Sequence, residues 1–457
     1  MTQTMVRRHS PGYWADTSSM SIPEIVVTPP GPRSTDIHGR ASRYMKGYSS
    51  QVRLFPVVFE SGHGVTLRDV DGNTYIDFSS GIYVAGLGHC HPKVTEAVQH
   101  AAATLMNAHD FTTPVKLELL EELTEISMGD LNGVQLYDSG TAAVEAGLRI
   151  ARAATGKLEF ISFYRDFHGK TMGAVSLGRL DPSQGLRAPG FHLAPRPDTY
   201  RRPFPCTDEE YVAWSVAAIR ELIRESTSGR LAAVVLEPIQ GWAGSILPPD
   251  GFIQALRELC DEYGMLLVAD EILTGLGRTG KWFAMEHWDT KPDLMILGKQ
   301  LGNGFPVTAV LVADQYKEAV ETISASTSYG GNPMACAAAL ASLRVITEEQ
   351  LVERAAWLGD LILKRLEQIK ERHPIVGDVR GKGCLLAIEL VKDRETKEPH
   401  LEAGREVYQR AFRKGVAWIP AGHILRLSPP MIMEENIAMR ALDIIEEAIA
   451  EAEQACA

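Results

Sequence analysis

The chain has 457 residues, a formal net charge of −12, and ordinary fractions of hydrophobic (45%) and charged (23%) residues. That is too long for one typical domain and long enough for a large core, and the acidic balance argues against general nucleic-acid or anionic-membrane binding. The six cysteines are scattered, without a CxxC pair or a His/Cys metal spacing, and MTQTMVRRHSPGYWAD lacks the apolar core of a secretory leader. With no apolar run of about 20 residues, a cytoplasmic protein with reduced thiols, no bound metal and no membrane span is expected.

Residues 1–36 are rich in Ser, Pro and Thr without periodicity and read as an extended arm. VVFESGHGVTLRDVDGNTYIDFSSG then breaks short β-type runs with Gly and Asp-Gly turns, a meander pattern. GIYVAGLGHCHPKVTEAVQ enters a helix at Pro92; His89 and His91 flank one Cys with no carboxylate cluster nearby, so a structural turn is favoured over a metal site. VQLYDSGTAAVEAGLRIARA reads as strand, tight turn and amphipathic helix. The backbone N–H groups of Ser139-Gly140-Thr141 could bind an anion there, although Ser-Gly-Thr is also an ordinary helix cap.

EFISF is a strand leading to a Phe167-His168-Gly169 turn, and AAVVLEPIQGWAGSILPP is a buried strand running to Glu237. After the crossover helix GFIQALRELCDEYG come two apolar runs, Leu266 to Ala269 and Leu294 to Leu297. Each reads as a strand buried on both faces. Asp270 ends the first and Lys299 follows the second. A charge at a buried strand end is costly without a partner, and ligands of open α/β sheets bind at the carboxyl ends of strands. The pair could be a simple ion pair. It also suits pyridoxal 5′-phosphate, which needs an amine for its aldehyde and an anion beside its ring nitrogen. FPVTAVLVA continues as a strand, STSYGGNPMACAAALASL opens a long helix, VGDVRGKGCLLAIELV reads as a hairpin or meander, and a last amphipathic helix closes the chain.

ADEILTGLGRTG followed by LGKQLGNG resembles the signature of the class III pyridoxal-phosphate aminotransferases, and the likeness runs from about Val65 to Ile445. The resemblance implies the type I fold of these α/β enzymes: a large domain over 88–336 with a mostly parallel central sheet. A smaller α+β domain would combine 37–87 with 337–457. It implies that Lys299 carries the cofactor, that Asp270 keeps the pyridine nitrogen protonated, and that Phe167, next to His168, stacks on the ring opposite Ile272. Ser139, Gly140 and Thr141 would cradle the phosphate, Ser328 would reach the phosphate of a neighbouring subunit, and the enzyme would be a homodimer or tetramer with shared sites. Arg426 would bind the substrate carboxylate, and Glu237 would lie in the site and pair with an arginine.

The chain departs from relatives at several positions. Ala142 replaces Glu, Leu273 replaces Gln, and Lys170 stands where relatives that take a second carboxylate have Arg. Lysine lacks the bidentate fork of arginine, which weakens the case for a distal carboxylate on the substrate. Ile82, with Tyr83 and Val84, echoes the GIxV pattern of aminobutyrate enzymes, whereas dialkylglycine decarboxylase has Gln at this place. The expected reaction is ping-pong transfer of an amino group from an ω-amino acid or amine donor to a keto acid or aldehyde. Rivals are an amino-sugar or secondary-metabolite aldehyde as acceptor, which Lys170 and Trp242 would allow, a decarboxylating dialkylglycine-type reaction, an amino-acid racemase or epimerase, and a non-catalytic relative.

Overall fold

The computed structural model describes residues 21–178, 187–417 and 419–456, with the side chains of 419–421 left undescribed. The chain forms two compact units, one spanning Lys93–Glu349 and the other made of the segments up to Pro92 and from Gln350.

The Lys93–Glu349 unit holds a seven-stranded sheet in the order Gly133–Tyr137, Thr308–Val312, Leu294–Leu297, Leu266–Asp270, Leu231–Leu236, Glu159–Phe163, Phe191–Ala194. Thr308–Val312 runs antiparallel to both neighbours, and the other neighbouring pairs are parallel. Strands covered on both faces need continuous apolar runs, and LAAVVL and LLVAD are buried at every residue. Helix Gly140–Thr155 starts at Ser139, whose side chain accepts the Ala142 N–H, and stops at Gly156 in the left-handed region that glycine permits. Its apolar face, including Val144, Leu148 and Ile150, packs into one core cluster with Phe160, Val235, Val268 and Ile296. Full burial of each such side chain is worth roughly 1.5–3 kcal/mol.

The other unit contains a four-stranded sheet in the order Phe59–His63, Thr66–Asp69, Thr74–Asp77, Val416–Ala417. A second has the order Val376–Lys382, Leu385–Leu390, Ile424–Leu427, Ile419–Ala421. Between Phe78 and Val84 the backbone turns through four consecutive left-handed residues, with φ of 48° at Ser80, 57° at Gly81, 71° at Ile82 and 67° at Tyr83. Asp77 ties this turn down: its Oδ1 accepts the Ser79 N–H and its Oδ2 accepts the Gly81 N–H and meets His89 Nε2 at 2.7 Å.

The mostly parallel sheet and the α+β character of the second unit agree with the expected fold. The segment read as an arm lies partly outside the described residues. In its described part, Glu24 pairs with Thr74, and helix Pro32–Ala41 begins behind a proline at its first turn. Sequence reading missed that helix because it has few apolar residues.

Candidate active site

Sheet order brings the carboxyl ends of five strands to one edge. Tyr137 leads to Ser139, Leu297 to Lys299, Leu236 to Glu237 and Phe163 to Asp166, while Asp270 ends its own strand. Thr308, which begins the antiparallel strand at this edge, donates its hydroxyl to the Ser139 carbonyl at 3.2 Å.

Asp270 is buried. Its Oδ2 meets His168 Nδ1 at 2.7 Å and its Oδ1 accepts the Ile272 N–H at 3.1 Å. The far nitrogen of His168, Nε2, lies 3.3 Å from Asp166 Oδ2 and 3.3 Å from Ser162 Oγ. Burial opposes a charge on His168, but hydrogen bonds to Asp166 and Asp270 outweigh it and push its pKa up to about 10. The result is a cation held between two carboxylates, one of which faces the strand-end crevice.

Lys299 is partly buried and itself left-handed, with φ of 42°. Such backbone costs on the order of 1–3 kcal/mol and persists where the surroundings hold it. Burial lowers the pKa of Lys299 from the usual lysine range against the opposing charges of Asp270 and Glu237. Ile272 fits between the helix start and the Lys299 turn because both neighbours are glycines. A Cβ at Gly140 would stand 3.1 Å from Ile272 Cδ1, and one at Gly298 would stand 3.2 Å from its Cγ2. Ser139-Gly140-Thr141 forms the N-terminus of a long helix, where backbone N–H groups and the dipole favour an anion. Thr141 Oγ1 is 2.7 Å from Thr171 Oγ1.

Phe167 and Trp242 stand side by side, with ring centroids 5.6 Å apart at 34°. Between their loops lies Glu237, only 4% exposed. The resemblance implies an arginine partner for Glu237; the hydrogen bonds found come from backbone. The Phe167 N–H donates to Oε1 at 2.8 Å and the Gly241 N–H to Oε2 at 2.9 Å. Burial and the nearby Asp166 charge push the Glu237 carboxyl up to about 7.

Lys170 is exposed, as is Ser328, whose carbonyl accepts from Asn107 Nδ2. Ile82 and Arg426 belong to the other unit, where Ile82 is exposed in the left-handed turn and Arg426 is 1% exposed within strand Ile424–Leu427. That strand and turn are bound together: the Ser428 N–H donates to the Phe78 carbonyl, and Ser80 Oγ donates to the Ser428 carbonyl. Sequence reasoning missed Asp166, although its place two residues before His168 was a usable signal. It also missed Gln240, whose Nε2 donates to Asp166 Oδ1 and the Tyr164 carbonyl, and Arg196, whose Nη2 donates to the Pro238 carbonyl. Nothing local in the sequence announces those two.

An amine of lowered basicity, a carboxylate backed by a cationic histidine, and a glycine-bearing helix start fit pyridoxal 5′-phosphate at its aldehyde, ring nitrogen and phosphate. Comparison with known proteins agrees. The family described as Aminotransferase class-III matches residues 48–449. An alanine/serine racemase of Pyrococcus horikoshii is 34% identical over 94% of this chain and 93% of its own length. An acetylornithine aminotransferase of Methanopyrus kandleri is 38% identical over 86% of this chain and 95% of its own. The crystal structure of the omega transaminase from Pseudomonas jessenii in complex with PMP superposes with a TM-score of 0.87 at 28% identity, covering 92% of this chain and 98% of that one. The chain therefore belongs to the class III aminotransferases and is a pyridoxal 5′-phosphate-dependent enzyme of that family.

Proposed function

We propose that the protein transfers an amino group from an ω-amino acid or other amine donor to a keto acid or aldehyde by a ping-pong mechanism. The observation that carries this reading is the buried Asp166–His168–Asp270 chain beside Lys299. Pyridoxal 5′-phosphate, when bound, supplies an aldehyde that captures the donor amine and a ring that withdraws electrons from the donor carbon. Asp270, backed by His168, holds the proton on the ring nitrogen. With the cofactor bound, Lys299 Nζ, kept below ordinary lysine basicity, would be the group that takes the proton from the donor Cα and gives it back during the transfer. Phe167 and Ile272 flank the ring, Ser139, Gly140 and Thr141 hold the phosphate, and Arg426 orients a substrate carboxylate bidentately. Ser328 completes the phosphate site of a partner subunit, so the working form is a homodimer or a larger assembly, acting in the cytoplasm.

The test is an absorption titration of the purified holoenzyme with single amines and no keto acid. Loss of the visible cofactor band with a donor supports transamination, and a band that persists with every amine rejects it. The racemase likeness favours one second reading, exchange of the α-proton of an amino acid on the same scaffold. Uptake of deuterium at Cα without loss of the amino group would establish it.

A further inference from the structure

The imidazole of His168 is closed off from solvent, with a carboxylate at each nitrogen. Asp270 Oδ2 stands 2.7 Å from Nδ1, and Asp166 Oδ2 stands 3.3 Å from Nε2. An ionised carboxylate only accepts hydrogen bonds, so a ring bonded to one at both nitrogens donates from both and is positively charged. The rival arrangement is a neutral ring whose Nε2 accepts from Ser162 Oγ, 3.3 Å away. That hydroxyl has a single proton, and Asp166 Oδ2, 3.4 Å from it, is the charged and stronger acceptor. The raised pKa of His168 agrees with the charged ring.

Asp166 is itself held in place. It is buried, and Gln240 Nε2 donates both to its other oxygen, Oδ1, and to the Tyr164 carbonyl. The other ionisable groups around the chain are Glu237, Arg196, Arg165 and Lys299. Glu237 accepts the Phe167 and Gly241 N–H groups, Arg196 donates to the Pro238 carbonyl, and Arg165 pairs with Asp198 at 2.9 Å. The imidazole is thus left to its two aspartates and Ser162.

An imidazolium against Asp270 alone would cancel its charge and leave the cofactor's ring nitrogen facing a neutral pair. With Asp166 on the far side, the chain keeps one net negative charge. We propose that Asp166 is a positioning residue that keeps His168 doubly protonated, so that the Asp166–His168–Asp270 chain turns one constant negative charge toward the ring nitrogen through the neutral pH range. This rests on the reading above, in which Asp270 holds the proton of that nitrogen, and names what sets the charge behind it.

The experiment follows the His168 ring nitrogens by ¹⁵N NMR in holoenzyme labelled at histidine, with His168→Gln identifying the signals. It compares the wild type, Ser162→Ala and Asp166→Asn. Both nitrogens should carry protons at pH about 8 in the wild type and in Ser162→Ala, above the ordinary histidine value of 6.5. In Asp166→Asn the titration midpoint of His168 should fall by roughly 1–3 pH units, the effect of losing one close opposite charge. Below that midpoint the variant's chain is neutral, and above it the negative charge returns. Its kcat for a donor should therefore rise about ten-fold across the midpoint with the donor KM unchanged. Glu237 titrates in both proteins, so the added step alone counts. Asp166→Ser, with the same expected fall, serves if Asp166→Asn does not fold. A singly protonated ring in the wild type at pH about 8, an unmoved midpoint, or a kcat profile without the added step overturns the proposal. If the midpoint moves but no donor bleaches the cofactor, the charge assignment stands and the amine-transfer reading falls.

Discussion

At the scale of single residues, the account turns on how buried charges are shared. Asp270→Asn removes one partner of a buried charged pair, a change worth about 3–5 kcal/mol. It should lower kcat at least about a hundred-fold in the cofactor-saturated enzyme, since 1.36 kcal/mol is ten-fold in rate; near-normal turnover would show that Asp270 does not hold the ring nitrogen. His168 has a pKa of about 10 in the folded chain against an ordinary 6.5, so it binds its proton more tightly when folded. Its stabilising contribution is complete below pH 6.5 and is lost as pH rises towards 10. Glu237, raised to about 7 from an ordinary 4.5, acts in the same sense over the lower window, losing stability as pH climbs from 4.5 to 7. Thermal melts should therefore show a falling Tm across pH 7–10, and His168→Gln should flatten that slope; an equal slope in both proteins would contradict the assignment. Asp270 and Lys299 were legible in the sequence because a charge closing an apolar run is conspicuous. Gln240 and Arg196 were not, since their partners Asp166 and Pro238 follow other strands and only the sheet brings them together, whereas Asp166 stood two residues before His168 and was overlooked.

At the scale of elements, the parallel strands and their helices were readable from unbroken apolar runs, glycine stops and the Ser139 cap. The left-handed turn at 80–83 was not, because φ is invisible in a sequence and Ile is the wrong residue to suggest it. Ile82 is held in that conformation by Asp77, His89 and the Ser80–Ser428 contact. Ile82→Gly relieves left-handed strain of about 1–2 kcal/mol and adds a chain-entropy cost of roughly 0.5–1 kcal/mol. Denaturant unfolding should thus move by no more than ~1 kcal/mol; if Ile82 binds substrate, as the GIxV resemblance implies, the KM for the donor should rise. An unchanged KM would remove Ile82 from the substrate site. The two histidines of GHCHP were read as structural, and His89 does close the Asp77 anchor.

At the scale of the whole molecule, the family was legible because the motifs fall in order along most of the chain. The substrate was not, since no motif in the sequence names it. Among the described residues no helix is long and apolar enough to cross a membrane. If Ser328 serves a partner's phosphate site, the native mass should be that of a dimer or tetramer. Ser328→Ala should then weaken cofactor retention roughly ten-fold, as expected for one hydrogen bond to a charged group. A monomer that keeps its cofactor through gel filtration would contradict shared sites. The most direct measurement follows the nitrogen: an ¹⁵N-labelled amine donor is incubated with the holoenzyme and an unlabelled keto acid, and the products are read by mass spectrometry. The account predicts ¹⁵N in the new amino acid and release of the donor's carbonyl product. Label that stays in the donor while its α-hydrogen exchanges with solvent would contradict it.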